Sequence, residues 1–142
     1  MKKEKKYTLL AVIGMIIFFS IFITLQIMRF KESDKYFSEL DVVLEGEIYK
    51  INQGSSGGFK FYYLKINQSN YKVYKKEDYY GRYYLKIYDE KATIYDGLGK
   101  YASVGDIIKL NGNLKTLIVL DSLGEVKLIK REFHLSDFLP EN

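Results

Sequence analysis

Residues 7–28 read YTLLAVIGMIIFFSIFITLQIM, a run of 22 positions without a charge. Only Thr8, Ser20, Thr24 and Gln26 are clearly polar. At about 1.5 Å per residue a helix of this length reaches roughly 33 Å, enough for a hydrocarbon core of about 30 Å. A secretory signal carries a shorter apolar run, roughly 7 to 15 residues, before a small-residue cleavage site. Here the run ends in Leu25, Gln26, Ile27, Met28 and Arg29, with no A-x-A-like site. A lipid-modified cysteine is excluded because the chain has no Cys. A core helix of a soluble domain does not fit either, since this one is apolar on every face in a small chain. The segment is therefore expected to remain as a signal-anchor, a single transmembrane helix that holds the chain in the lipid bilayer.

Basic residues near the ends of a span report its orientation. Lys2, Lys3, Lys5 and Lys6 crowd the N-terminal side, against Arg29, Lys31 and Lys35 on the other. The expected topology is a cytoplasmic tail over residues 1–6 and an extracytoplasmic C-terminal domain at the cell membrane. Charge distribution supports this partition. Residues 1–35 hold seven Lys/Arg and three Asp/Glu, a net +4; residues 36–142 hold fifteen of each, a net of zero. The whole basic excess thus sits at the membrane boundary, where it reports topology and attraction to anionic headgroups, not a nucleic-acid partner.

Beyond the span, RFKESDKYFSEL (29–40) reads as a short stalk in which Ser33 caps one helical turn carrying Tyr36, Phe37 and Leu40 on one side. The period then changes from helical to two. Val42, Leu44 and Ile48 alternate with Val43, Glu45 and Glu47, as in a strand with one wet face, and Gly46 at an inward position marks a bulge or bend. NQGSSGG (52–58) reads as a flexible turn into a strand over 59–67, and NQSN (67–70) as the connection into 71–75. Further strands are expected over 82–89, 92–95, 106–110, 114–120 and 125–133. Asp96-Gly97, Gly105-Asp106 and Asn111-Gly112 supply turn signals between them. The β-domain spans 41–134 and is followed by a tail, 135–142. About seven short strands with closely spaced turns indicate a small antiparallel barrel, or alternatively a Greek-key β-sandwich.

VVLEGEIYKI (42–51) and VGDIIKLNG (104–112) resemble the first and fourth strands of an OB-fold. The layout as a whole resembles small uncharacterised bacterial single-pass membrane proteins with such a domain. The resemblance implies an OB-like barrel over about residues 40–133. The chain departs from that pattern in having no clear helix between the third and fourth strands.

Nine of the fourteen Tyr lie between residues 62 and 88, interleaved with Lys65, Lys72, Lys75, Lys76, Arg82 and Lys86. In RYYLKIY, alternation places Tyr83, Leu85 and Ile87 on one face and Arg82, Tyr84, Lys86 and Tyr88 on the other. The second set is the candidate partner surface. Rings beside cations suit stacked bases, sugar rings or a protein interface. An external position and a neutral domain weigh against nucleic acid and favour an envelope protein or a glycan. The competing reading is structural, because Tyr is a strong strand former and cross-strand aromatic pairs stabilise sheets.

Nothing in the sequence marks a catalytic site. Glu45 and Glu47 share an outward face where charges belong, and His134 is the only histidine. No nucleophile elbow or phosphate-loop spacing occurs, so no cofactor, metal or enzymatic activity is expected. The expected function is a membrane-held binding module. Its alternatives are an accessory subunit of an envelope complex engaged through the helix, and an OB-type nucleic-acid binder if the domain is cytoplasmic.

Overall fold

A computed structural model of the chain describes residues 2–54, 58–77 and 83–131, with the backbone alone for 2–6 and 33. Arg82, residues 55–57 of the glycine-rich turn, the last expected strand beyond Arg131, His134 and the tail lie outside the described residues.

One helix, α1 (Lys2–Ser38), runs unbroken through the apolar segment and on through the stalk. It is long and apolar enough to cross a membrane. No proline interrupts it, and Gly14 is its single glycine. The hydroxyls of Ser20 and Thr24 donate to the carbonyls of Ile16 and Ser20 at 2.9 and 2.8 Å, so they need no solvent. The cap expected at Ser33 does not start a new turn, because the helix continues through it. At about 1.5 Å per residue, the ten residues from Arg29 to Ser38 carry the helix about 15 Å past the apolar run.

The rest of the described chain is one antiparallel sheet of eight strands: β1 (Val43–Gln53), β2 (Lys60–Ser69), β3 (Val73–Lys75), β4 (Leu85–Tyr88), β5 (Lys91–Asp96), β6 (Ile107–Asn111), β7 (Thr116–Leu120) and β8 (Val126–Arg131). Their spatial order is β3-β4-β5-β2-β1-β6-β7-β8. Among the described residues no ladder joins β3 to β8, so the sheet is not closed.

It is nonetheless strongly curled. β5 and β8 are five strand steps apart, roughly 24 Å in a flat sheet, yet Lys130 on β8 meets Asp96 at the end of β5 at 2.9 Å. A sheet folded over on itself is what lets them meet. The long first strand bends as it curls: its pairing with β2 slips between Glu45 and Gly46 and again between Ile48 and Lys50. Gly46 is required at the first slip, since a Cβ there would lie 2.8 Å from the Lys65 carbonyl oxygen.

The inner face carries Leu44, Ile48, Tyr62, Leu64, Ile87, Ile108, Leu117 and Val119, all essentially without solvent contact. The alternation expected for Val42, Leu44 and Ile48 is present. The open mouth of the curl is filled by the end of the helix, where Tyr36, Phe37 and Leu40 are 3–5% exposed. These three belong to the same buried cluster as the inner face of the sheet. These three stalk side chains are core side chains.

Candidate interaction surface

The helix end is gripped from two sides. On one side the β6–β7 connection brings Lys115, whose ammonium donates to the carbonyls of Phe37, Ser38 (3.2 Å) and Leu40 (3.1 Å). A helix leaves its last carbonyls without intrahelical donors and carries partial negative charge there. A single cation answers both. Lys115 holds a left-handed backbone (φ 52°) to reach them, and loss of solvent lowers its ammonium pKa. Gly112 in the same turn passes so close that a Cβ would lie 2.5 Å from the Leu40 carbonyl oxygen.

On the other side, Asn70 accepts from the Val43 amide (2.8 Å) and donates to the Asp41 carbonyl (3.0 Å). The Tyr71 hydroxyl donates to Asp41 Oδ2 at 2.6 Å, and Lys76 pairs with Glu39 at 2.6 Å. The Lys76 contact, first as a hydrogen bond and then as a charge, lowers the Glu39 carboxyl pKa. The helix thus enters the domain through a bonded collar.

The tyrosine-rich surface forms next to this collar, on β3 and β4. The structure brings Lys86 and Tyr88 together on the outer face, with Tyr88 71% exposed beside Val73. Tyr84 does not join them. Its ring packs on Tyr36 and Phe37 at centroid distances of 5.1 and 4.8 Å, against the buried cluster. Tyr83, expected beside Leu85 and Ile87, instead lies outside between Lys75 and Lys86, whose ammonium groups sit 5.4 and 5.6 Å from its ring centroid. The reason is local. The pleat of β4 starts at Leu85, and Tyr84 occupies a bend before it, so alternation does not extend back to either tyrosine.

The Tyr83 hydroxyl donates to Glu77 at 2.7 Å. Contact with that hydroxyl is the main cause of a raised Lys75 ammonium pKa. The outer surface is therefore Lys75, Tyr83, Lys86, Tyr88 and Val73. Register was the missing signal for Val73 and Lys75, which pair directly with Tyr88 and Lys86.

Other candidates resolve into structure. Glu45 pairs with Lys109 at 2.9 Å on the outer face. The described residues contain no group of three or more His, Cys, Asp or Glu placed to hold a metal. Asp106 accepts from the Ser103 amide and from Lys127, which ties β8 to the turn before β6. At the helix end a cavity of about 20 Å³ lies among Tyr36, Phe37, Tyr84, Ile94, Leu110 and Leu117, room for about one water molecule.

No protein family matches the chain, and neither does any curated protein or any solved structure.

Proposed function

We propose that this chain is a single-pass membrane protein whose curled, barrel-like β-domain, OB-like in its strand signals, stands outside the cytoplasmic membrane as a binding module. The surface it offers is Lys75, Tyr83, Lys86 and Tyr88, and the partner class is an envelope protein or a glycan. The observation that carries this reading is the buried helix end. A domain on a flexible tether samples every orientation, whereas one that takes Tyr36, Phe37 and Leu40 into its core presents each face at a set height and angle. Fixed presentation matters for docking beside a membrane. The same junction supports retention of the helix, because the anchor and the core share one continuous element. Topology follows the lysine-rich N-terminus.

The test has two parts. Leu123, 85% exposed in the β7–β8 turn, is replaced by Cys in the full chain and labelled in intact cells with a membrane-impermeant maleimide. Labelling before lysis supports the external domain. Protection until lysis reverses the topology and makes nucleic acid the leading partner class. The full chain carrying Tyr83→Ser and Tyr88→Ser is then compared in cross-linking recovery from envelope extracts. Loss of a specific partner supports the surface. Unchanged recovery, together with loss on exchanging Tyr7–Met28 for an unrelated span, favours the accessory-subunit reading through the helix.

A further inference from the structure

The tyrosine surface is one end of a larger basic face. On β3, β4, β5 and the part of β2 paired with β5, every second residue points outwards. Those outward positions include Lys75, Lys86, Lys91 and Lys65 and no carboxylate. Lys50 on β1 joins them, paired in register with Tyr63. The acids of this region stand at its rim: Glu47 opposite Lys65, Glu77 after β3, and Asp89 and Glu90 in the β4–β5 turn.

Register sets two pairs of lysines face to face, Lys75 against Lys86 and Lys65 against Lys91. Like charges directly opposite are destabilising in a sheet. Lysine on an edge strand guards against unwanted strand pairing, which accounts for Lys75 on β3. It does not account for Lys65 or Lys91, because β2 and β5 lie inside the sheet. Among the described residues no carboxylate forms an ion pair with either of them. Facing residues stand about 5 Å apart and diagonal neighbours about 8 Å. Lys75, Lys86, Lys91, Lys65 and Lys50 therefore trace a line of cations roughly 26 Å long across five strands.

We propose that this line binds an anionic glycan, a polymer with carboxylate or phosphate groups on its sugars, laid across the strands. With the domain outside the membrane as a binding module, the reading on which this assignment rests, charge complementarity supplies the ligand. A row of cations that lacks counter-charges of its own fits a repeating anion, and an anion seated between facing lysines offsets their repulsion. The rings select a sugar over a nucleobase, because stacked bases need open ring faces. Here the ammonium groups of Lys75 and Lys86 sit over Tyr83, and that of Lys50 lies 5.5 Å from the centroid of Tyr63. Tyr88, 71% exposed, is the ring left open. One open ring beside several ammonium groups suits a sugar flanked by anions better than a run of stacked bases.

The test uses the full chain in discs of zwitterionic lipid. The probes are fluorescent polygalacturonate and dextran phosphate, with neutral dextran as control. At least one anionic probe is expected to bind, neutral dextran not to, and binding to weaken steeply as salt rises. Lys91→Glu separates ligand from fold. It sets an opposite charge against Lys65, so the unfolding midpoint is expected to rise while binding falls at least five-fold. Lys100→Gln, in the short helix Gly99–Tyr101, is expected to change neither. Unchanged binding in Lys91→Glu, or a lower midpoint, overturns the proposal. Tighter binding of a thymidine oligonucleotide than of either anionic probe gives the line to nucleic acid and overturns it too. A Lys65→Cys thiol open to a neutral maleimide in zwitterionic discs but closed in discs with phosphatidylglycerol puts the line on the chain's own bilayer, which likewise overturns it. Failure of both anionic probes overturns the glycan, while a protein still recovered through Tyr83 and Tyr88 leaves the binding surface standing. Protection of the Leu123→Cys thiol in intact cells, by contrast, removes the external module and its ligand together.

Discussion

Two adjacent tyrosines show how much one residue of position decides. Tyr84 serves the core and Tyr83 the surface, although their side chains are identical. Replacing Tyr84 with Ser removes a ring packed at a tilt against Tyr36 and Phe37, and the expected cost is about 2–3 kcal/mol. Tyr83→Ser is expected to leave stability within about 0.5 kcal/mol, as for most surface changes. Denaturant unfolding of the two variants in detergent checks the difference, and equal losses would contradict this placement. Tyr62 makes a second case. Its hydroxyl is buried without a hydrogen-bond partner, so Tyr62→Phe is expected to be neutral or slightly stabilising near pH 7.

At high pH Tyr62 matters more. Burial first, and then the charge of Asp96, push its hydroxyl from the ordinary 10.0 to about 12. A folded-state pKa raised in this way contributes stability that is complete below pH 10 and lost as pH rises through 12. Burial likewise raises the Tyr36 hydroxyl pKa. The chain is therefore expected to unfold on the alkaline side of pH 10, and Tyr62→Phe to move that transition upward. Tyrosinate absorbance and circular dichroism, followed together across the titration, report both events.

Among the elements, the β6–β7 turn combines several roles in a few residues. It turns the chain, caps the helix with Lys115 and leaves no room for a side chain at Gly112. Gly112→Ala forces its Cβ onto the Leu40 backbone and is expected to cost about 2–3 kcal/mol. Lys115→Met keeps the stem but removes the donor from three carbonyls, with an expected cost of about 1–2 kcal/mol. Amide exchange at residues 36–42 is expected to quicken in both variants. A faster rate confined to the turn itself would show that the grip on the helix is not what stabilises it.

For the molecule as a whole, the expected consequence is a rigid link from the apolar helix to the domain. Inserting four glycines between Lys31 and Glu32 breaks the helix before the collar and leaves the core residues in place. Distances from a spin label at a Leu123→Cys site to labelled headgroups are expected to be narrowly distributed in the parent chain and broad in the insertion variant. Equal widths would mean that the junction does not fix the domain.

The apolar run at 7–28, the change of period after Leu40, and the turn at Asn111-Gly112 were all readable in the sequence alone, whereas at Asp96-Gly97 the strand ends and the chain turns only at Gly99–Tyr101. Each of the three is a local property, a stretch of hydropathy, a two-residue alternation or a backbone preference, and local properties are written in consecutive residues. The same is true of Tyr36, Phe37 and Leu40 sharing one side of a turn. The sequence did not show that this turn belongs to an unbroken helix, or that its apolar side closes a core assembled from strands up to eighty residues away. The seat of the helix end, the exchange of roles between Tyr83 and Tyr84 and the meeting of Lys130 with Asp96 all depend on strand register and on the curl of the sheet. These are set by the summed packing of side chains distant in sequence. Only the tertiary structure decides them, because they turn on how separate strands pair and curl, which no single stretch of sequence contains.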